Sequence, residues 1–326
     1  MLYSILKEKW GYLNQETAMS KVSKNNKVMS TKEAVEKCVF DGAIVGMGGQ
    51  NVARCAVNLA HEIIKQGKKN LTLTGCNLSI HMDLLVGAGL VKKCEFGLAG
   101  LGRFGATFQF KRAIEEGRME AEDFDHLTMV SRFLAGEMGI PFIPVRGLMG
   151  SDIINYQTAS TEKKFEIMNN PWNQGEKVAL VPAMQPDVTI VHVQKADEIG
   201  NVIIQGIASH EPELIRASRA TIVSCEEIVS TNFFRSNSDF TTVPYHHIDA
   251  VVEQPFGAYP TSTHRYYSFD VDHIHYYQQC ARAGGEEYKA YMNKYIYGCE
   301  TFEDFLEKCG GISKLDQLKR EMLRLM

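Results

Sequence analysis

The chain has 326 residues, of which 44% are hydrophobic and 23% charged, so it can bury a large core and its length allows roughly two domains. Its 35 basic and 39 acidic side chains give a formal charge of −4. That balance excludes a dedicated nucleic-acid binder, while leaving room for one local anion-binding pocket.

No window holds the roughly 18 consecutive apolar residues of a membrane span, and Lys7, Glu8, Lys9 and Glu16 interrupt any apolar run at the start. The eight cysteines include no Cys-x-x-Cys, and no two lie closer than ten residues, which argues against a zinc ribbon or redox motif. They read as reduced, mostly buried thiols of a cytoplasmic protein with no membrane partner. No metal set stands out.

In chain order, residues 1–28 read as a polar extension. The basic stretch from Met19 to Met29 looks like a disordered lead-in, and either methionine could be the true start. Ser30-Thr31-Lys32-Glu33 carries a cap signal and opens a helix to Phe40. Asp41-Gly42 turns into a strand at 43–47, and Val52, Ala56, Leu59 and Ile63 recur at helical spacing to Lys65. A strand at 71–74, a helix at 80–87 and a strand at 94–98 follow. Two helices, about 106–116 and 122–138, then lead to a strand at 142–145. After a polar linker around 169–175, strands are expected at 178–181, 187–192, 202–204, 221–224 and 249–253, with a helix at 213–217. Everything beyond Asp270 reads helical.

This alternation predicts the α/β class, with an open, mostly parallel sheet carrying helices on both faces. The expected division is one domain over 29–311 and a helical tail over 312–326. Ligands of such sheets bind outside the carboxyl ends of the strands.

Three stretches invite a chemical reading. Gly46-Met47-Gly48-Gly49 joins the first strand to a helix, where glycines let an anion approach backbone amides; a tight turn without a ligand is the alternative. Gly100-Leu101-Gly102-Arg103-Phe104-Gly105 has dinucleotide-fingerprint spacing, but Glu120 and Glu122 are expected in a helix-to-helix connection, so the acid that would hold a ribose is missing. Arg103 could clamp a carboxylate or phosphate, or lie solvated on the surface. His246-His247, expected on a strand, would point to opposite faces and make a poor metal pair, and His273 and His275 lack partners at ligand spacing. Glu226-Glu227 end a strand and are expected to be solvated. No Gly-x-Ser-x-Gly elbow and no Gly-x-x-x-x-Gly-Lys-Ser/Thr loop occurs.

From Asp41-Gly42 to Gly48-Gly49 the chain resembles the start of family I coenzyme A transferases, α subunit. Further segments agree in order: Val91-Lys92-Lys93, Gly139-Ile140-Pro141-Phe142-Ile143-Pro144-Val145 with Gly150-Ser151, and Ala196-Asp197-Glu198-Ile199-Gly200-Asn201. Thr221 to Ile228 and Asp249-Ala250-Val251-Val252 with Gly257-Ala258 are most similar to the glutaconate-type α subunit. In one place the pattern departs: Gln50-Asn51-Val52-Ala53-Arg54 stands where the family has Phe and then Gly-x-Pro.

The resemblance implies an α subunit in a hetero-oligomer of αβ units that moves CoA between an acyl-CoA and a carboxylic acid, with no cofactor beyond the thioester substrate. In the family the β subunit supplies a nucleophilic glutamate in Ser-Glu-Asn-Gly. That motif is absent from these 326 residues, so no catalytic residue is expected in this chain. The length then fits one half of the active site. The substrate or CoA contacts implied are Gly48, Gly49, Gln50, Asn77, Ser79, Arg103 and Ser151, all on expected ligand-side loops. Two alternatives are a related α subunit that hydrolyses a carbon–carbon bond in ring-derived acyl-CoAs, and a non-catalytic binding protein on the same sheet.

Overall fold

The computed structural model describes residues 26–155 and 163–325, so most of the 1–28 extension lies outside the described residues. The Ser30 hydroxyl accepts from the Glu33 amide, and the Glu33 carboxylate accepts in return from the Ser30 amide. This reciprocal cap starts α1 (Thr31–Cys38). Then follow β1 (Ile44–Met47), α2 (Val57–Gln66), β2 (Leu71–Leu78), α3 (Ile80–Gly87), β3 (Val91–Ala99), α4 (Phe108–Glu115), β4 (Glu120–Asp123) and α5 (His126–Met138). Asp125 caps the start of α5, and Gly139 ends it in the left-handed conformation. The chain continues through β5 (Phe142–Val145), β6 (Glu166–Asn169), β7 (Lys177–Pro182), β8 (Val188–Ala196), β9 (Val202–Ile203), α6 (Glu211–Ala217), β10 (Thr221–Ile228), α7 (Thr231–Ser236) and β11 (Ala250–Glu253). It closes with α8 (Val271–Ala283), α9 (Gly285–Met292), α10 (Phe302–Lys308) and α11 (Gly311–Leu325).

The main sheet has the order β11-β10-β8-β1-β2-β3-β4, all parallel, with the short β9 antiparallel on β8. Strands buried on both faces explain the near-continuous apolar runs at β1, β8 and β10. Side chains alternate between two cores. Leu71 and Leu73 of β2 join α1–α4 and the C-terminal helices in one core, while Cys76 joins Phe133 of α5 and Leu214 of α6 in another. The sheet is therefore covered on both faces, as expected. The tail is packed as well: α11 buries Leu318 and Met322.

Four expectations change. Glu120–Asp123 is an edge strand paired with β3 rather than a helix-to-helix connection leading into a helix from Glu122, and α5 begins only at His126. Its charged composition suits an edge, where just one side is paired. The strands at 142–145 and 178–181 do not join the main sheet. They form a separate antiparallel sheet, β5-β7-β6, in which Pro144 sits on an edge strand that can spare an amide. The polar linker is the β6–β7 hairpin loop, closed by the Asn170 amide donating to the Glu176 carbonyl at 2.8 Å. Finally, α2 starts at Val57 rather than Val52, because residues 50–53 fold back on themselves.

One carboxylate ties three helices together beneath the sheet. Asp83 of α3 is fully buried, accepting from the Phe110 amide of α4 and the Tyr277 hydroxyl of α8, both at 2.7 Å. Burial raises its pKa to about 6, against the opposing effect of those two bonds. The folded chain thus holds this proton more tightly than the unfolded chain, so the contribution is present at low pH and lost as pH rises through 6. Relative to Asp83→Asn, whose side chain does not titrate, the stability of the native sequence is expected to fall by about 2 kcal/mol between roughly pH 4.5 and 7. Urea unfolding of both chains across that range measures it.

Candidate active site

Strand order reverses at β1: the chain runs outward through β2, β3 and β4, then returns to place β8 on the other flank of β1. The crevice of such a sheet opens at this switch point, outside the carboxyl ends. There β1 stops at Met47, while β2 continues to Leu78 and β8 to Ala196. The Gly48-Gly49 turn lies in the gap.

Backbone amides in this turn were expected to receive an anion. The structure corrects that expectation, because each amide already has an acceptor within the chain. Gly48 donates to the Ile190 carbonyl at 3.0 Å, Gln50 to the Ala53 carbonyl at 2.8 Å, and Gly49 to Oε1 of Glu211 at 2.9 Å. The cradle does hold a carboxylate, and that carboxylate is the chain's own. Glu211 is fully buried and ion-pairs with Arg54, whose guanidinium also donates to the Ile207 carbonyl at 2.7 Å. Glycine is needed at both positions for packing reasons. A Cβ on Gly48 would come within 2.5 Å of Val191 Cγ1 and 3.0 Å of Glu211 Oε1, and Gly49 has φ +92°.

Two buried histidines line the same turn. The His81 ring Nε2 lies 3.0 Å from the Gly48 carbonyl, and burial lowers its pKa to about 4. Neutral near pH 7, it acts there as the Nε2–H donor. His210, also lowered to about 4 by burial, stacks on Phe133 and lies 3.3 Å from the Cys76 amide. Three buried polar atoms on or against the turn have no protein partner: Asn51 Oδ1, Arg54 Nε and His81 Nδ1.

The structure brings six of the seven expected contact residues to this edge. The second glycine loop hangs from β2 through the Gly100 amide and the Leu78 carbonyl, 2.9 Å apart. It also abuts the first loop, since a Cβ on Gly102 would lie 3.2 Å from that of Asn51. Arg103 is exposed, with its guanidinium 4.5 Å from the Phe269 ring centre and 5.1 Å from that of Phe104. Asn77 and Ser79 are not open loop residues. Asn77 lies inside β2 with Oδ1 2.9 Å from the His126 ring, and Ser79 is fully buried beside Cys55. Ser151 instead follows β5 of the small sheet, and its hydroxyl donates to the Leu148 carbonyl at 3.0 Å.

Other expectations are corrected too. Glu226 is buried, not solvated. It accepts from the Phe256 amide at 2.8 Å and sits 2.6 Å from Nε2 of His192, whose Nδ1 is 2.8 Å from the Ser224 hydroxyl. Since Glu120 and Glu122 lie on β4, a strand does follow the second glycine loop and its helix, so a missing strand no longer argues against a dinucleotide site. The acid closing that strand, Asp123, is 3.0 Å from the Lys164 ammonium. His246 and His247 occupy a short 3₁₀ turn with ring centres 4.1 Å apart, rather than opposite faces of a strand. Among the described residues no group of three metal-ligating side chains is assembled, and no helix is long and apolar enough to cross a membrane.

Sequence reasoning missed Arg54, His81, His210 and Glu211. No local signal marks them, since Arg54 and Glu211 are 157 positions apart.

Known proteins share this sequence pattern and fold. The coenzyme A transferase family model matches residues 28–254. An Archaeoglobus fulgidus protein of undescribed function is 40% identical over 92% of this chain, which spans 66% of that protein's length. One subunit of the 3-oxoadipate CoA-transferase of Pseudomonas knackmussii is 33% identical, over 86% of this chain and 97% of its own. The solved structure of glutaconate coenzyme A-transferase from Acidaminococcus fermentans superposes with a TM-score of 0.84 at 28% identity, covering 90% of this chain and 95% of that one.

Because the Gly48 Cβ position is filled by Val191 and Glu211, Gly48→Ala is expected to destabilise the fold by about 1–3 kcal/mol through overpacking. A thermal or urea unfolding curve tests this directly; an unchanged midpoint would show that the turn can yield.

Proposed function

The chain belongs to the coenzyme A transferase family, and from that premise we propose that it is the α subunit of a heteromeric acyl-CoA:carboxylate CoA transferase acting on a short dicarboxylic acid. The observation that carries this reading is coverage. One α/β unit accounts for 95% of a glutaconate CoA-transferase chain, while the 326 residues contain no Ser-Glu-Asn-Gly. The dicarboxylate is favoured because both that enzyme and the 3-oxoadipate enzyme are named for one. Subunits of cholesterol ring-cleaving hydrolases are also related but less similar in sequence, which makes that alternative the weaker one.

In this mechanism a partner β subunit provides the glutamate. Its carboxylate attacks the thioester carbonyl and expels CoA thiolate, leaving a mixed anhydride. The thiolate then attacks the glutamyl carbonyl, releasing the first acid and forming an enzyme thioester. Attack by the second acid's carboxylate and return of the thiolate to the acyl carbon give the new acyl-CoA and regenerate the glutamate. Every step passes through an oxyanion, so a rigid polar wall beside the reacting carbonyl has value.

This chain supplies that wall. The Gly48-Gly49 turn fixes its shape, Gln50 follows it in the chain, and the buried Asn77 and Ser79 lie at and just beyond the end of β2. To Arg103, exposed and braced on two aromatic rings, this reading assigns the carboxylate of the acid that does not react.

The purified chain alone is expected to transfer no CoA, and activity is expected on reconstitution with a chain carrying Ser-Glu-Asn-Gly. Robust turnover by a verified partner-free preparation would sink the assignment. In the reconstituted complex, Arg103→Ala is expected to raise KM for a dicarboxylic acid about tenfold or more with little change in kcat, the pattern of lost ground-state binding. Equal KM values for the two forms would remove Arg103 from the site.

A further inference from the structure

We propose that Glu211 is a positioning residue, which together with His81 bolts the single peptide unit between Gly48 and Gly49 in one orientation at the mouth of the crevice. The proposal rests on the function given above, because it names what holds that site's wall in place.

The argument starts from which atoms are held. The Gly48 carbonyl and the Gly49 N–H belong to the same peptide plane. The first lies 3.0 Å from Nε2 of His81 on α3, and the second donates at 2.9 Å to the Glu211 carboxylate at the start of α6. A peptide between two glycines is the easiest kind to flip, since neither neighbour has a Cβ to resist rotation. A flip here would turn the carbonyl oxygen toward a buried carboxylate and the N–H toward the donor nitrogen of a neutral imidazole. Both contacts repel, so the two side chains select one orientation.

The carboxylate is held in turn. Its second oxygen pairs with Arg54, whose guanidinium also reaches the Ile207 carbonyl at 2.7 Å. Arg54 has φ +52°, as does Asn51, so two strained non-glycine residues lie within the turn that this pair closes. The turn is also stitched to the loop after β11, with the Arg54 amide donating to the Ser262 carbonyl at 2.8 Å and the Ser262 amide to the Val52 carbonyl at 2.9 Å. The lock thus joins the β1–β2 side of the crevice to the β8–β10 side. Asn51 Oδ1, Arg54 Nε and His81 Nδ1 remain unpaired beside it.

Glu211→Gln separates this role from simple packing. A glutamine amide can accept from an N–H or donate to a carbonyl, so it keeps the shape and abolishes the selection. In the full chain, hydrogen exchange at the Gly49 amide is expected to accelerate about tenfold or more, with peptides from β2 and β10 unchanged. Exchange within about twofold of the native rate in folded E211Q would overturn the lock. Should E211Q fail to fold because Arg54 is left unpaired, the double variant Glu211→Gln/Arg54→Met removes both charges together and is read in the same way.

In the complex with a Ser-Glu-Asn-Gly partner, E211Q is expected to lose about tenfold or more in kcat while KM stays within about twofold. A lowered melting temperature with native kcat and KM would reduce Glu211 to a structural role and overturn the proposal. If the native complex transfers no CoA, the function assigned above falls, and the exchange experiment on the chain alone still decides the lock.

Discussion

A carboxylate taken out of water must be met by donors, and at Glu211 those donors are Arg54 and the amide of Gly49. Much of the carboxyl edge follows from satisfying that one group. The turn after β1 needs glycine where Glu211 and Val191 approach it, and it needs a left-handed glycine to bring the amide round. Arg54 must reach inward to neutralise the acid, which draws residues 50–54 into a tight reversal and delays the start of α2 to Val57. The loop after β11 then closes over that reversal through Ser262 and through the Thr261 hydroxyl, 3.2 Å from the Cys55 amide. One buried charge therefore sets the shape of three segments that are distant in sequence.

Acids elsewhere in the sheet are paired as well. Lys195 pairs with Glu227, His192 with Glu226, and Arg132 with Glu95. Arg103 is differently placed: it lies on the faces of Phe104 and Phe269 with its guanidinium exposed.

Much of the fold was legible in the sequence because parallel strands buried on both faces leave continuous apolar runs, as at β1, β8 and β10, and because Ser30 and Gly139 mark helix ends through local chemistry. What escaped was set by pairing partners rather than by local pattern. Glu120 to Asp123 read in isolation as a connection and the start of a helix, and are extended because β3 offers an edge. The segments at 142–145 and 178–181 read as strands, but nothing local says that they pair with each other and with 166–169. The site divides in the same way. Glycine spacing located the turn and the second loop, while Glu211, His81 and His210 reach the turn from other elements and leave no mark in the residues around it.

The glycine pair shows where motif reading and physical reading part. Two glycines before a helix suggest amides presented to a ligand, and in the structure the Gly49 amide does meet a carboxylate. The occupant was wrong, because a folded chain can supply its own anion and gain rigidity from it. A ligand competing for the Gly49 amide would have to displace a fully buried, ion-paired glutamate and leave Arg54 without its counter-charge, a cost that breaking a buried pair sets at about 3–5 kcal/mol. A substrate carboxylate brings its own desolvation cost to the same exchange. Displacement is therefore unfavourable on both sides of the balance. The turn is a fixed surface, with the polar atoms Asn51 Oδ1 and His81 Nδ1 buried against it and Arg103 exposed on the neighbouring loop.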